Sequence, residues 1–426
     1  MHKKVLIITY YWPPAGGPGV QRWLKFVKYL PEFGFDPIVY IPENPTYPII
    51  DEALAAEVSR DVKIIRRKIF EPYGLAAWLT GKGTKRISSG IIPSNHKQTP
   101  LEKLSLWIRG NLFIPDARRF WVRPSVRFLR KYIQEENIHT VITTGPPHSL
   151  HLIGLRLKAT LDIRWIADFR DPWTSIGYHK SLKLTPFSED LHKSLEEKVL
   201  NAADQIIVTS QSTKQEFRDI TTKPIAVITN GYDVALGKSD VLDARFSLAH
   251  IGSLLSERNP TVLWQVLAEL VRELPGFADD LELKLIGTVS NDVLLDIHRY
   301  DLDPHVNHMG YVPHHEAVKH QKQSQVLLLI EINSVETKSI IPGKLFEYMV
   351  SGRPIVAIGP TGSDFAPIVA QTHTGVFVDY SEKAKLKETI VDFYQRYKSG
   401  NLSVEALGID QYSRKNLTAS LAELLR

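Results

Sequence analysis

Three groups of residues in this chain have types and spacings that could do chemistry. The first is Pro13-Pro14-Ala15-Gly16-Gly17-Pro18-Gly19, set between the apolar run Val5–Tyr10 and a helix-like stretch from Val20 to Leu30. A strand, a glycine turn and a helix N-terminus bring backbone N–H groups together, an arrangement that receives anions. It is not a dinucleotide fingerprint, because Arg22 stands where the third glycine belongs, and no G-K-[ST] follows to complete a P-loop. Two readings stay open: a tight turn that needs glycine for its geometry alone, or close approach of Gly16, Gly17 and Gly19 to a substrate.

The second group begins with Thr143-Thr144-Gly145-Pro146-Pro147-His148-Ser149 and continues in Trp165-Ile166-Ala167-Asp168-Phe169-Arg170-Asp171-Pro172-Trp173. Asp168, Arg170 and Asp171 sit at the C-terminal end of a strand-like run, where ligands bind in open α/β sheets. The alternative is a local ion pair, or an Asp closing a turn before proline. His148 suits donation to a substrate hydroxyl or a helix cap. The spacing of these groups matches no metal motif.

The third group lies in the second half. In His250-Ile251-Gly252-Ser253-Leu254-Leu255-Ser256-Glu257-Arg258, Gly252 ends a strand and Arg258 precedes a helix that starts near Pro260. A guanidinium there can clamp a diphosphate through paired hydrogen bonds. Ile341-Pro342-Gly343-Lys344-Leu345-Phe346-Glu347 then reads as a helix start, with Lys344 and Glu347 three apart on one face. Such a pair is either a surface salt bridge of roughly 0–1 kcal/mol, or a lysine for phosphate beside a glutamate for sugar or ribose hydroxyls.

The elements that must hold these groups follow from periodicity. Strand candidates in the first half are Val5–Tyr10, Pro37–Ile41, Val62–Arg67, Thr140–Thr144, Trp165–Phe169, Gln205–Ser210 and Ile225–Asn230. Those in the second half are Ala249–Gly252, Leu283–Gly287, Gln325–Ile330, Pro354–Gly359 and Gly375–Asp379. They alternate with helix-length amphipathic stretches, and runs such as VLLLI imply burial on both faces of a parallel sheet. The turn Asn230-Gly231-Tyr232-Asp233 and the polar run Leu236 to Arg245 mark a linker. The expected fold class is α/β, with two Rossmann-like doubly wound domains, 1–235 and 245–408, facing a cleft. A last helix, 412–426, carries Leu417, Leu421 and Leu424 on one face and must pack on something, with the first domain as the candidate.

The chain has 426 residues, 43% apolar and 23% charged, and no cysteine. This composition excludes a disordered or collagen-like chain, and the missing thiols exclude disulfides, thiolate nucleophiles and cysteine-ligated metal. The N-terminal apolar run is too short for a signal peptide and no run is long enough to span a membrane, so a cytoplasmic protein is expected. Charge is uneven: residues 63–131 hold sixteen Lys or Arg against Glu71, Glu102 and Asp116, with Trp78, Trp107 and Trp121 among them. Arg119, Arg123, Arg127 and Arg130 recur at helical spacing. A solvated face and attachment to an anionic membrane surface both fit. Nucleic acid is disfavoured, since no recognition module accompanies the charge.

The blocks Pro13-Pro14-x-Gly16-Gly17-x-Gly19, Asn230-Gly231-Tyr232-Asp233, Gly252…Arg258 and Pro342-x-Lys344-x-x-Glu347-Tyr348-Met349-x-x-Gly352-x-Pro354 together resemble the family 4 glycosyltransferases of the GT-B fold. The nearest subgroup looks like bacterial enzymes of surface polysaccharide assembly. The resemblance implies a retaining, metal-independent transfer from a nucleotide-diphosphate sugar, taken as co-substrate with no further cofactor, to a glycan or lipid-linked acceptor. It implies that the second domain binds the donor through Gly252, Ser253, Arg258, Gly287, Tyr311, Val312, Gly343, Lys344, Leu345 and Glu347. Arg258 and Lys344 would face the diphosphate, with Asp168 and Asp171 completing the catalytic set. Gly16, Gly17, Gly19, His148 and Arg170 would meet the acceptor or a phosphate. Many family members carry a second glutamate eight positions before the Glu347 equivalent, where this chain has Ser339, and an arginine where it has Ser253. A sugar-nucleotide epimerase of the same fold and a non-catalytic nucleotide-sugar-binding adaptor are the alternatives.

Overall fold

The computed structural model describes residues 2–72, 100–180, 182–233 and 241–426. The chain forms two compact units, one of Met1–Asn230 with Arg414–Arg426 and one of Gly231–Ser413. The turn at Asn230-Gly231 therefore ends the first unit, and residues 234–240 of the expected linker lie outside the described residues.

The first unit holds a seven-stranded parallel sheet of β1 (Lys3–Ile8), β2 (Phe35–Pro42), β3 (Lys63–Arg67), β4 (Thr140–Gly145), β5 (Arg164–Phe169), β6 (Gln205–Val208) and β7 (Ile225–Val227). Its order is β3-β2-β1-β4-β5-β6-β7. The second unit holds six parallel strands: β8 (Phe246–Ile251), β9 (Leu281–Ile286), β10 (Val306–Gly310), β11 (Val326–Ile330), β12 (Ile355–Gly359) and β13 (Gly375–Asp379). Its order is β10-β9-β8-β11-β12-β13. Both sheets reverse strand order beside their first strand, at β1/β4 and at β8/β11, and such a switch point opens a crevice beyond the carboxyl ends of the strands.

The central strands are buried on both faces, as their apolar runs require: every residue of β8, β11 and β12 is buried. Strand β10 was not expected from the sequence. It reads Val-Asn-His-Met-Gly, is largely exposed at the sheet edge, and so lacks the apolar continuity of its neighbours.

The last helix, Arg414–Leu425, buries Leu417, Leu421, Ala422 and Leu425 in the same core as Trp23, Phe26 and Val27 of the helix Pro18–Tyr29. Each such leucine contributes about 1.5–3 kcal/mol on burial. Lys415 adds an ion pair to Glu32 at 2.6 Å. In the basic stretch, residues 73–99, with Trp78, lie outside the described residues. Trp121 is no surface anchor: it is buried and stacks on Tyr40, with centroids 4.9 Å apart.

Candidate active site

In the second unit the switch point is lined by charge. The sequence leaves β8 at Gly252 and β11 at Glu331. Glu331 is 1% exposed, and its carboxylate accepts from Arg258 Nε at 3.2 Å, from Arg258 Nη2 at 3.1 Å and from the backbone N–H of Ile332 at 2.8 Å. The Tyr380 hydroxyl donates to the Glu331 carbonyl at 2.7 Å. This two-point grip fixes the plane of the guanidinium. Arg258 Nη1 has no partner among the described residues, and the side chain is 32% exposed.

Lys344 opens the short helix Lys344–Met349. Its ammonium lies 3.4 Å from His250 Nε2 and 3.4 Å from the Ile251 carbonyl, both long contacts, and pairs with no carboxylate among the described residues. Burial, reinforced by Arg258 and opposed by Glu331, pulls Lys344 down to about 7. His250 is buried with Nδ1 3.2 Å from the Leu328 carbonyl, so Nδ1 carries the proton and Nε2 turns its lone pair to Lys344. Burial and the nearby Lys344 hold that imidazole well below its usual range, hence neutral.

Backbone close-packing makes the rim. Gly287 has φ 126°, and a Cβ there would stand 2.5 Å from the Gly252 carbonyl oxygen. Only glycine lets the turns after β8 and β9 lie this close, joined by Gly252 N–H to Ile286 O at 2.7 Å and Leu254 N–H to Thr288 O at 2.8 Å. The Tyr348 hydroxyl accepts from Ile251 N–H at 3.1 Å and so pins the end of β8. Ser253 is exposed, and Tyr311 is 86% exposed beside half-buried Val312. Glu347 does not pair with Lys344; its carboxylate accepts from Gln321 Nε2 at 3.1 Å. Leu345, expected among the donor contacts, is a core residue instead: its side chain is fully buried and its N–H is taken by the Pro342 carbonyl at 3.0 Å. Gly343 caps the same short helix.

In the first unit the corresponding edge is built differently. Asp168 is fully buried and accepts from Arg22 Nη2 at 3.1 Å, Trp23 Nε1 at 2.8 Å and Thr144 Oγ1 at 2.8 Å. Arg22 also donates to the Thr229 carbonyl at 2.6 Å. Asp168 thus corrects the expectation of an acceptor-facing carboxylate, because its lone pairs are committed inside the protein. The arginine that spoils the dinucleotide fingerprint is its buried counter-ion.

Arg170 donates to the carbonyls of Gly145 and Pro146, and a Cβ at Gly19 would collide with its guanidinium. The glycine loop and the post-β5 loop are therefore in contact through that missing side chain. Gly16 and Gly17 complete the loop, with Gly16 N–H donating to the Ile49 carbonyl at 3.0 Å. Asp171 stands next to Arg170, and burial pushes its carboxyl up while Arg170 opposes the shift. His148 caps nothing: its ring stacks on Trp173 with centroids 4.9 Å apart and planes at 4°. Both its ring nitrogens are buried without a partner among the described residues, and burial with His151 alongside keeps it neutral.

Arg258 and a Lys344 that charges near neutral pH, both at the switch point of the second sheet, can receive a dianionic diphosphate. The family models divide nearly as the units do: Glycosyltransferase Family 4 matches residues 92–236, a few residues beyond the first unit, and Glycosyl transferases group 1 matches residues 245–396 in the second. The chain is a glycosyltransferase. A comparison with curated proteins gives no match.

Solved structures share the fold of this glycosyltransferase over its whole length. A trehalose-6-phosphate protein from E. coli bound with UDP-2-fluoroglucose aligns at a TM-score of 0.62 and 10% identity over 99% of each chain. TarM from S. aureus, in complex with fondaparinux, α-GlcNAc-glycerol and UDP, aligns at 0.59 and 11% over 100% of each. The lipopolysaccharide outer core galactosyltransferase WaaB aligns at 0.58 and 14% over 99% of each. At such identities the likeness is one of fold.

Sequence reasoning missed several residues of the two candidate clusters: His250, Glu331, Tyr348 and Tyr380 in the second unit, and Arg22, Trp23 and Thr144 in the first. Glu331 had a legible signal, an acid placed directly after an all-apolar strand. Among the described residues, no group of three His, Asp or Glu could hold a metal ion, and no helix is long and apolar enough to cross a membrane.

Proposed function

We propose that this glycosyltransferase moves a sugar from a nucleotide-diphosphate sugar to a glycan or lipid-linked acceptor in surface polysaccharide or glycolipid synthesis, with retention and without a metal. The single observation that carries the donor assignment is Lys344, a half-buried ammonium with no carboxylate partner, beside Arg258 at the β8/β11 switch point. UDP in two of the related structures supports a nucleoside diphosphate there.

In this reading Arg258 Nη1 and Lys344 Nζ bind the diphosphate and stabilise it as it departs. Glu347 takes the ribose hydroxyls, and the backbone at Tyr311 and Val312 meets the base. Ser253, with its short exposed side chain, replaces the arginine many relatives carry and leaves the phosphate clamp to Lys344. The departing phosphate accepts the acceptor proton, so no carboxylate nucleophile is required. His148, Arg170 and Asp171 take the acceptor in the first unit, and Asp168 acts as a positioning residue through Arg22 and Thr144.

A thermal-shift series with UDP, GDP, ADP and TDP tests the donor site, since a ligand at a hundredfold excess over its Kd stabilises by about 2.7 kcal/mol. The expected result is a shift with one nucleoside diphosphate that disappears in Lys344→Ala. An equal shift in that variant would remove Lys344 from the site.

A further inference from the structure

The helix Arg119–Glu135 has two unlike faces. Trp121, Val122, Ser125, Leu129 and Ile133 are buried against the first sheet, and the Tyr40 hydroxyl donates to Ser125 Oγ at 2.9 Å. On the solvent side Arg123, Arg127, Arg130 and Lys131 are exposed, and Arg156 of the helix Ser149–Lys158 joins them around a hollow of about 490 Å³.

Neighbouring basic residues are neutralised. Arg118 pairs with Glu71 at 3.1 Å, Lys131 with Glu135 at 3.5 Å, and Lys4 and Lys63 each with Glu136 at 2.7 Å. Arg123, Arg127, Arg130 and Arg156 enter no ion pair among the described residues. Four guanidiniums held on two packed helices repel one another, and that repulsion is relieved by an external anion. A guanidinium cluster fits phosphate oxygens in particular.

Past the N-terminal end of this basic face lie exposed apolar side chains. Phe120, 45% exposed, lies one turn before Arg123 and meets Phe70, 56% exposed, at 5.7 Å between centroids. On the preceding helix, Pro100–Leu112, Leu104 and Trp107 are 52% and 39% exposed, and Arg119 Nη1 donates to the Leu112 carbonyl at 3.2 Å. Aromatic and aliphatic side chains beside unpaired arginines suit the boundary between head groups and acyl chains. Nucleic acid would meet the arginines and leave the leucines in water.

We propose that this face seats the protein on an anionic bilayer, the hollow taking a lipid head-group phosphate while Phe120, Phe70 and Trp107 enter the interface. The proposal stands apart from the donor assignment. It is tested by co-sedimentation of the full chain with phosphatidylcholine vesicles with and without phosphatidylglycerol. The protein should pellet only with phosphatidylglycerol and should be released at high salt. Each arginine near an anionic surface strengthens binding about fivefold, so the triple variant Arg123→Glu/Arg127→Glu/Arg130→Glu should lose roughly a hundredfold or more. Its melting temperature and its shift with the nucleoside diphosphate that stabilises the wild type should be unchanged, and Arg156→Glu alone, with about a tenth of the effect, serves if the triple variant fails to fold. Pelleting unaffected by either variant would overturn the proposal. So would absence of pelleting with phosphatidylglycerol; stabilisation by inorganic phosphate alone would then mark a soluble phosphate ester site, and retention on duplex DNA a nucleic-acid face.

Discussion

The two sheets of this glycosyltransferase share one strand order but use their switch points in opposite ways. In the first unit the charge of Asp168 is consumed internally: it meets Arg22, Trp23 and Thr144, and none of its lone pairs is left for a ligand. In the second unit the charge is deliberately incomplete, because Glu331 occupies only one side of Arg258 and Lys344 rests on two long contacts. A saturated network fixes loops in place, whereas an unsaturated one retains donors that a ligand can take. A buried charge marks a binding site only when its partners are counted.

Mutations that remove a partner should separate the two cases. The largest effect is expected from Asp168→Ala, which leaves Arg22 buried and unpaired and should cost about 3–5 kcal/mol of stability, read as a fall in denaturant midpoint. A midpoint within error of the wild type would show the network to be dispensable. Lys344→Ala should instead lower turnover by about 10²–10³-fold, as loss of one oriented cation or donor does, with a melting temperature no lower than that of the wild type. Normal turnover would break the contrast between the units. Glu331→Gln keeps one acceptor for Arg258 but loses the charge; we expect roughly a tenfold rise in donor KM, and an unchanged KM would show that Arg258 needs no second point of support.

A pH experiment sharpens the same point. Lys344 is held at about 7 in the empty protein, below its ordinary value, so the folded state binds fewer protons than the unfolded chain between pH 7 and about 10. Its burial therefore costs stability in full below pH 7, and the cost fades as pH rises through that window. A diphosphate needs the ammonium, so binding at pH 8 should take up a proton, and affinity should fall by up to about tenfold per pH unit above 7. Calorimetry in two buffers of different ionisation enthalpy reads this directly, and binding without proton uptake would contradict a role for Lys344. The smallest effect is expected from Tyr311→Ala, a few-fold weaker nucleotide binding, because an 86% exposed ring has little to lose until a base covers it.

The buried strands and the helices between them were legible in the sequence because apolar continuity is a local property. Strand β10 was not, since its residues are polar and its strand character comes only from pairing with β9. The sequence put Gly252 at a strand end and Arg258 and Lys344 next to helix starts, and only the family resemblance brought them to one ligand. What could not be read was which charges are already spent. Arg22 and Asp168 lie 146 residues apart, and only the fold shows that they neutralise one another. His250 was in view as a motif residue, but its lone pair acquires meaning only once Leu328 has fixed the tautomer.

The helix Arg414–Leu425 gives the chain an unusual timetable during synthesis. A ribosome finishes residues 1–230 early, yet the leucines that close that unit's core arrive only after all of Gly231–Ser413 has been made. At about 5–20 residues per second, the hydrophobic surface of Trp23, Phe26 and Val27 waits on the order of ten to forty seconds for its lid. The first unit is thus begun first and completed last.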